Sequence, residues 1–229
     1  MKIEYESILN ELNLLSDEKY KIFNSKIVPT KQSMLGVRIP ILRKIAKQII
    51  NEDAIKFIEL DKQDVYEMVL LEGIVLSYID KTFKDLVPLI ENYLGKVDNW
   101  AQVDTPMLSF KSISNDKFFV YKIVNKWIKS DKEYVVRTAL VILLKFFVQK
   151  EYLEDIFKLS QEVKHDGYYV HMANAWLLSV CMVKYPNETI AFFKLNNLDK
   201  RTHNKAIQKS IESFRVSKSD KLIIKNLKV

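Results

Sequence analysis

Four aromatic residues, Tyr66, Trp100, Tyr134 and Tyr168, stand 34 residues apart, and that period constrains the fold more than any other feature of the chain. The surrounding segments, DVYEMVLLEGIVLSY, DNWAQVDTPMLSF, KEYVVRTALVILLKF and DGYYVHMANAWLLSV, share more than the ring. Ten positions past it come Leu76, Phe110, Leu144 and Leu178, apolar every time. Five positions past it come Leu71, Thr105, Ala139 and Ala173, mostly small. Within each segment the apolar residues recur at helical spacing. A shorter amphipathic helix is expected before each, at 53–60, 84–94, 117–129 and 151–163, with another after the last at 187–195. Helix pairs repeated at this period read as an α-solenoid, in which no pair buries its apolar face alone and stacked neighbours supply the core. The period also suits tetratricopeptide repeats, but their fixed Gly and Ala positions are missing. The expected fold is therefore all-α, a HEAT-like solenoid with a concave surface, in one domain over 1–229.

Composition agrees. Four Gly and five Pro make about 4% of the chain, where average usage is roughly 12%, and tight β-turns need those residues. Local chemistry places several helix ends. Ser16-Asp17-Glu18 starts one helix, and Leu35-Gly36-Val37-Arg38-Ile39-Pro40 is a turn into another with Pro40 in its first turn. Pro186 stops the helix carrying Cys181, and Asn187 is expected to cap the next. The single cysteine leaves no intramolecular disulfide and fits a reducing, cytoplasmic setting. It lies in an apolar stretch from Ala175 to Val183, where an inert buried thiol is expected rather than a nucleophile. That stretch is shorter than the roughly 20 residues that span a bilayer. The first residues, MKIEYESILNEL, are amphipathic and acidic, unlike a signal peptide.

Charge is unevenly spread. The net charge is +7, and residues 200–229 hold nine Lys and Arg against Glu212 and Asp220, so the rest of the chain is balanced. A localised basic segment suits a polyanion partner, or simply a solvated terminal cap. There is no CxxC, HExxH, phosphate-binding Gly loop or GxSxG elbow. His165, His171 and His203 are too scattered to suggest a metal site.

A repeat is its own control, because positions that differ between copies are not required for shared packing. Four residues past each aromatic come Leu70, Asp104, Thr138 and Met172, so a carboxylate replaces an apolar or small residue in one copy. Buried and unpaired it would cost several kcal/mol, so it should face a wet cleft or hold a partner. Three past the aromatic come Val69, Val103, Arg137 and His171, and eight past it Ile74, Leu108, Ile142 and Trp176. Asp104, Arg137, His171 and Trp176 are therefore candidates to line one groove. Each also has a plain reading. Trp100 belongs to a column aromatic in all four copies, Trp176 suits a core, a lone helical Asp is usually solvated, and Arg137 has a stem long enough to snorkel to solvent.

The chain resembles the AlkD-like family of HEAT-repeat DNA alkylation repair proteins over nearly its whole length. The matching pieces are Gly36-Val37-Arg38-Ile39-Pro40-Ile41-Leu42-Arg43-Lys44, Asn99-Trp100-Ala101-Gln102-Val103-Asp104 and Val136-Arg137-Thr138-Ala139. They continue with Tyr168-Tyr169-Val170-His171-Met172-Ala173-Asn174-Ala175-Trp176, Asn204-Lys205-Ala206-Ile207-Gln208-Lys209 and Glu212-Ser213-Phe214-Arg215-Val216-Ser217. The resemblance implies a DNA glycosylase for purines alkylated at N3 or N7. It makes Asp104, four residues after Trp100, the catalytic carboxylate, with Trp100 and Trp176 lining the site. It implies that Arg137 contacts the DNA backbone and that Tyr168 and Tyr169 match an aromatic pair. His171, Lys205, Lys209 and Arg215 complete the expected DNA contacts. The expected partner is double-stranded DNA carrying an alkylated base, bound by a monomer, with no metal, cofactor or membrane. One departure is Val28-Pro29-Thr30-Lys31-Gln32-Ser33, a loop where the family's founding type has continuous helix bearing a DNA-touching aromatic; Tyr20 and Phe23 are the candidates to replace that ring.

The implied chemistry is coherent. Alkylation at N7 or N3 leaves a positive base whose bond to the sugar is weakened, so the leaving group needs little acid help. The cation developing on the sugar needs a fixed negative charge beside it, and a carboxylate supplies one. Two other roles stay open on the residues: a non-catalytic binder of DNA structure, and a protein-binding scaffold, the commonest use of such arrays.

Overall fold

The computed structural model describes residues 2–229 and holds fourteen α-helices and no strand among them. They are α1 (Tyr5–Leu14), α2 (Glu18–Ser25), α3 (Ile39–Glu52), α4 (Ala54–Glu59), α5 (Tyr66–Leu76), α6 (Phe83–Leu94) and α7 (Trp100–Met107). After these come α8 (Lys117–Trp127), α9 (Glu133–Ile142), α10 (Leu153–Glu162), α11 (Tyr168–Lys184), α12 (Pro186–Leu195), α13 (Lys200–Glu212) and α14 (Lys218–Lys225). The 34-residue period is the spacing of helix starts. Tyr66, Trp100 and Tyr168 are the first residues of α5, α7 and α11, and Tyr134 is the second of α9. The alternating helices α4, α6, α8, α10 and α12 fall where the shorter amphipathic segments were expected. The chain is thus an all-helical array of repeated pairs.

Two compact units divide the chain between Val120 and Tyr121, inside α8. In the first, α5 packs against α3 and α7, with α4 and α6 against α5. Its core gathers Ile8 and Leu12 of α1, Leu42, Ile45 and Ile49 of α3, and Leu70, Leu71 and Ile74 of α5. Every residue of α5 is buried, which explains its apolar run. Two of them are carboxylates. Glu72 is met by the Nζ atoms of Lys96 at 2.8 Å and Lys62 at 3.3 Å. Lys62 is itself buried and donates to the carbonyls of Phe57, Ile58 and Leu60, closing the end of α4. Its burial pulls the ammonium below the ordinary lysine value, with Glu72 opposing.

In the second unit α11 packs along α13 on one side and α9 on the other. Leu178 and Met182 of α11, Phe193 of α12, Ala206 and Ile207 of α13 and Ile224 of α14 form its core. Pro186 does not merely stop α11: it is the first residue of α12, with Tyr185 as N-cap, and Asn187 lies inside that helix rather than capping it. Proline suits the first helical position because the amide it lacks would have no helical partner there. Cys181 is fully buried and its thiol is pushed up to about 12 by desolvation, as an inert thiol requires.

Candidate functional site

The column containing Asp104 is out of register in chemistry. Leu70 on α5 and Thr138 on α9 are completely buried, Asp104 is buried with 9% of its surface exposed, and Met172 on α11 is half-buried. Trp100 and Asp104 are one turn apart on α7, so their side chains share a face. The eight-position column behaves the same way: Ile74 and Ile142 are fully buried, and Leu108 and Trp176 are not.

The start of α7 is held by a polar network. Asn99 is the N-cap, its Oδ1 accepting from the amides of Ala101 and Gln102 at 3.1 Å each. Its Nδ2 donates to Asp98, whose carboxylate also accepts from Thr30 Oγ1 and the amide of Lys31. Fully buried Gln102 donates to Gln32 Oε1 at 2.6 Å, and Gln32 donates in turn to the carbonyl of Lys96. The loop at 28–33 is therefore laced to the residues preceding α7. Just before that loop, the carbonyl of Ile27 accepts from Trp100 Nε1 at 3.1 Å. The indole rests against the first unit's core with its ring partly exposed. Trp100→Phe keeps the ring's packing and removes that hydrogen bond. We expect a loss of about 1 kcal/mol in thermal or urea unfolding.

The turn Leu35-Gly36-Val37, matched above only as a motif, has a definite physical task. Its three successive amides donate to the buried Glu67 carboxylate at 2.9, 2.7 and 3.2 Å. Gly36 has φ +96°, and a Cβ there would stand 2.7 Å from the Asp17 carbonyl and from Lys21 Cβ, so only glycine fits. The carbonyl of Gly36 accepts from the amide of Asp17, which caps α2 through its side chain. The two candidate aromatics of α2 differ sharply. Tyr20 is half-buried under the Arg38 guanidinium, 4.8 Å from its ring centre, while Phe23 is 59% exposed. Of the two, Phe23 is the ring presented to solvent.

In the second unit the predicted residues lie on α9, α11 and α13, with Arg215 just past the end of α13. Arg137 does not snorkel: it is 6% exposed, and its Nη1 donates to the carbonyl of Tyr169 at 2.8 Å. Glu133 Oε1 accepts from the Tyr169 amide at 2.7 Å, so α9 grips the first turn of α11 with an acid and a base. Tyr169 stacks on Tyr134, and Tyr168 meets Tyr169 edge-on. Trp176, Lys209 and Arg215 line one cavity of about 260 Å³, together with Ser179 and Glu212. Partial burial lowers the Lys209 pKa, and the positive charges of Lys205 and Arg137 add to that, with Glu212 opposing. The cationic side chains of α13 thus sit close enough to feel one another. Tyr168, His171 and Lys205 line a separate cavity of about 350 Å³.

Among the described residues no group of three His, Cys, Asp or Glu is placed to hold a metal ion. Among the same residues no helix is long and apolar enough to cross a membrane.

Helix pairs at a fixed period, with aromatic and cationic side chains on α11 and α13, define a helical-repeat protein. A family model described as DNA alkylation repair enzyme matches residues 8–213, and the chain belongs to that family. No curated protein sequence matches it.

Proposed function

We propose that this chain is a DNA glycosylase that excises purines alkylated at N3 or N7, with Asp104 as the carboxylate that stabilises the cation developing on the sugar. The observation that carries the reading is Asp104 itself, a buried carboxylate one turn from Trp100, at a repeat position where the other copies hold Leu70, Thr138 and Met172. Membership of an alkylation repair family supports a role in alkylation repair, with which this reading agrees. In this reaction the C–N bond between sugar and base breaks with its electron pair leaving on the alkylated base, which is already cationic and departs neutral. The sugar carbon is left electron-poor, and a water molecule adds to it and loses a proton. A fixed carboxylate favours both steps, by charge and by orienting the water. The indole of Trp100, one turn from Asp104, favours the cationic base and sugar, by roughly 0.5–2 kcal/mol.

Lys205, Lys209 and Arg215 suit phosphate contacts, which give a salt-dependent affinity without sequence preference. Arg137 acts on the same surface by fixing Tyr169. Replacing both Lys209 and Arg215 with Gln is expected to flatten the plot of log affinity against log salt by about 2 units of slope, since each phosphate contact contributes roughly 0.9. Fluorescence anisotropy across a salt series measures it.

The deciding experiment incubates the protein with duplex DNA containing 7-methylguanine and follows release of the free base. Release that depends on Asp104 supports the reading. DNA binding without release supports a non-catalytic relative, and no binding at moderate salt supports a protein scaffold.

A further inference from the structure

The cavity of about 350 Å³ in the second unit is distinct from the one holding Trp176, and its construction is specific. Tyr168, His171 and Met172 reach it from one face of α11, and Arg201, Asn204, Lys205 and Gln208 from one face of α13, at the i, i+3, i+4, i+7 spacing of a helix stripe. The eighth wall residue, Lys228, is brought back from beyond α14. His203 Nε2 bonds the carbonyl of Leu227 at 2.8 Å, and Asn204 exchanges two hydrogen bonds with the backbone of Val229. Lys228 Nζ then donates to Gln208 Oε1 at 2.8 Å, with ammonium protons to spare.

Three cations therefore surround a space that no carboxylate lines, with the Tyr168 ring, 60% exposed, as one wall. His171 offers the space no free nitrogen: its Nδ1 is taken by Thr202 Oγ1 at 2.7 Å, beside the Asp199 carboxylate at 3.4 Å, and its Nε2 is buried. A phosphate on the outside of a duplex needs exposed cations, but neither a cavity nor a ring. An anionic group attached to a flat heterocycle needs all three. Cavities that take small molecules run from roughly 300 to 1,000 Å³, so the size fits one such unit.

We propose that this cavity binds a single unstacked nucleotide, its base on Tyr168 and Met172 and its phosphate among Arg201, Lys205 and Lys228. The unit is either a free nucleoside monophosphate or one unpaired nucleotide of a strand. Because the Asn204 amide is committed to the Val229 backbone and Gln208 to Lys228, the walls stack the base rather than read its edge, and all four bases fit. The proposal goes beyond excision: it needs neither an alkylated base nor Asp104.

The test titrates the protein calorimetrically with adenosine 5′-monophosphate and with inorganic phosphate. It also compares, by anisotropy, a labelled DNA hairpin carrying one bulged nucleotide with its fully paired counterpart. Binding of the nucleotide or of the bulge should exceed that of its control by ~10-fold or more, as stacking of one base allows. The double variant Arg201→Glu/Lys228→Glu, altered at exposed positions only, should abolish that preference while its circular dichroism stays helical. Tyr168→Ala should weaken the nucleotide and leave inorganic phosphate unchanged. Preference for the monophosphate alone assigns a free nucleotide, and preference for the bulge alone assigns an unpaired strand. Equal binding of each ligand and its control overturns the proposal, as does a preference that survives the double variant. Release of 7-methylguanine, measured on the same preparations, reports separately on Asp104, so either reading can fail without the other.

Discussion

In the Asp104→Asn protein, release of 7-methylguanine is expected to fall by on the order of 100- to 1,000-fold, with affinity for the same DNA retained. Asparagine is nearly the same size and still bonds through its side chain, so only the charge is removed. The ground state holds a cationic base that already has its own counter-charge in the phosphates. The transition state adds positive charge on the sugar, and that addition is what the carboxylate opposes. The effect should therefore appear in single-turnover rate rather than in binding. A thermal melt matching that of the wild type shows that the loss is chemical. Full release by Asp104→Asn would remove this side chain from the mechanism.

The largest effect on stability is expected from Glu67→Ala. Truncation leaves the amides of Leu35, Gly36 and Val37 facing an empty pocket, and each buried donor without a partner costs about 1–3 kcal/mol. A total on the order of 3–5 kcal/mol follows, or a drop of roughly 10 °C in melting temperature for a chain of this size. The change should also loosen α2, because Gly36 of the same turn accepts from the amide of Asp17 at its cap. Hydrogen exchange of α2 is the local readout. Unchanged melting with unchanged exchange would show that the turn holds itself without the carboxylate.

What could be read in advance follows from what each feature needs. The array was legible because its period is carried by rings at helix starts: Tyr66, Trp100, Tyr134 and Tyr168 each lie in the first two residues of a helix. Asp104 and Trp176 stood out as candidates because a repeat exposes its own exceptions. Polar partnerships across long separations were not. Gln102 and Gln32 lie 70 residues apart, and nothing local marks either as the other's partner. Buried Glu72 with Lys62 and Lys96 reads in the sequence as ordinary surface charge. Arg137 stood out by its column, but its grip on Tyr169 depends on how α9 and α11 pack. The end of α9 was equally hidden, since its apolar run shows no break where the helix widens into a π-turn over Leu143–Phe147. The motif around Gly36 was recognised as a pattern before it had a cause, and the cause lies 31 residues further on, in Glu67.

Cys181 carries one more consequence. The electrophiles that methylate purines also attack sulfur, and they do so through the thiolate. The lone cysteine of this chain is held protonated at any physiological pH and walled off by its neighbours. The protein thus presents no accessible thiol to the reagents whose damage its family repairs.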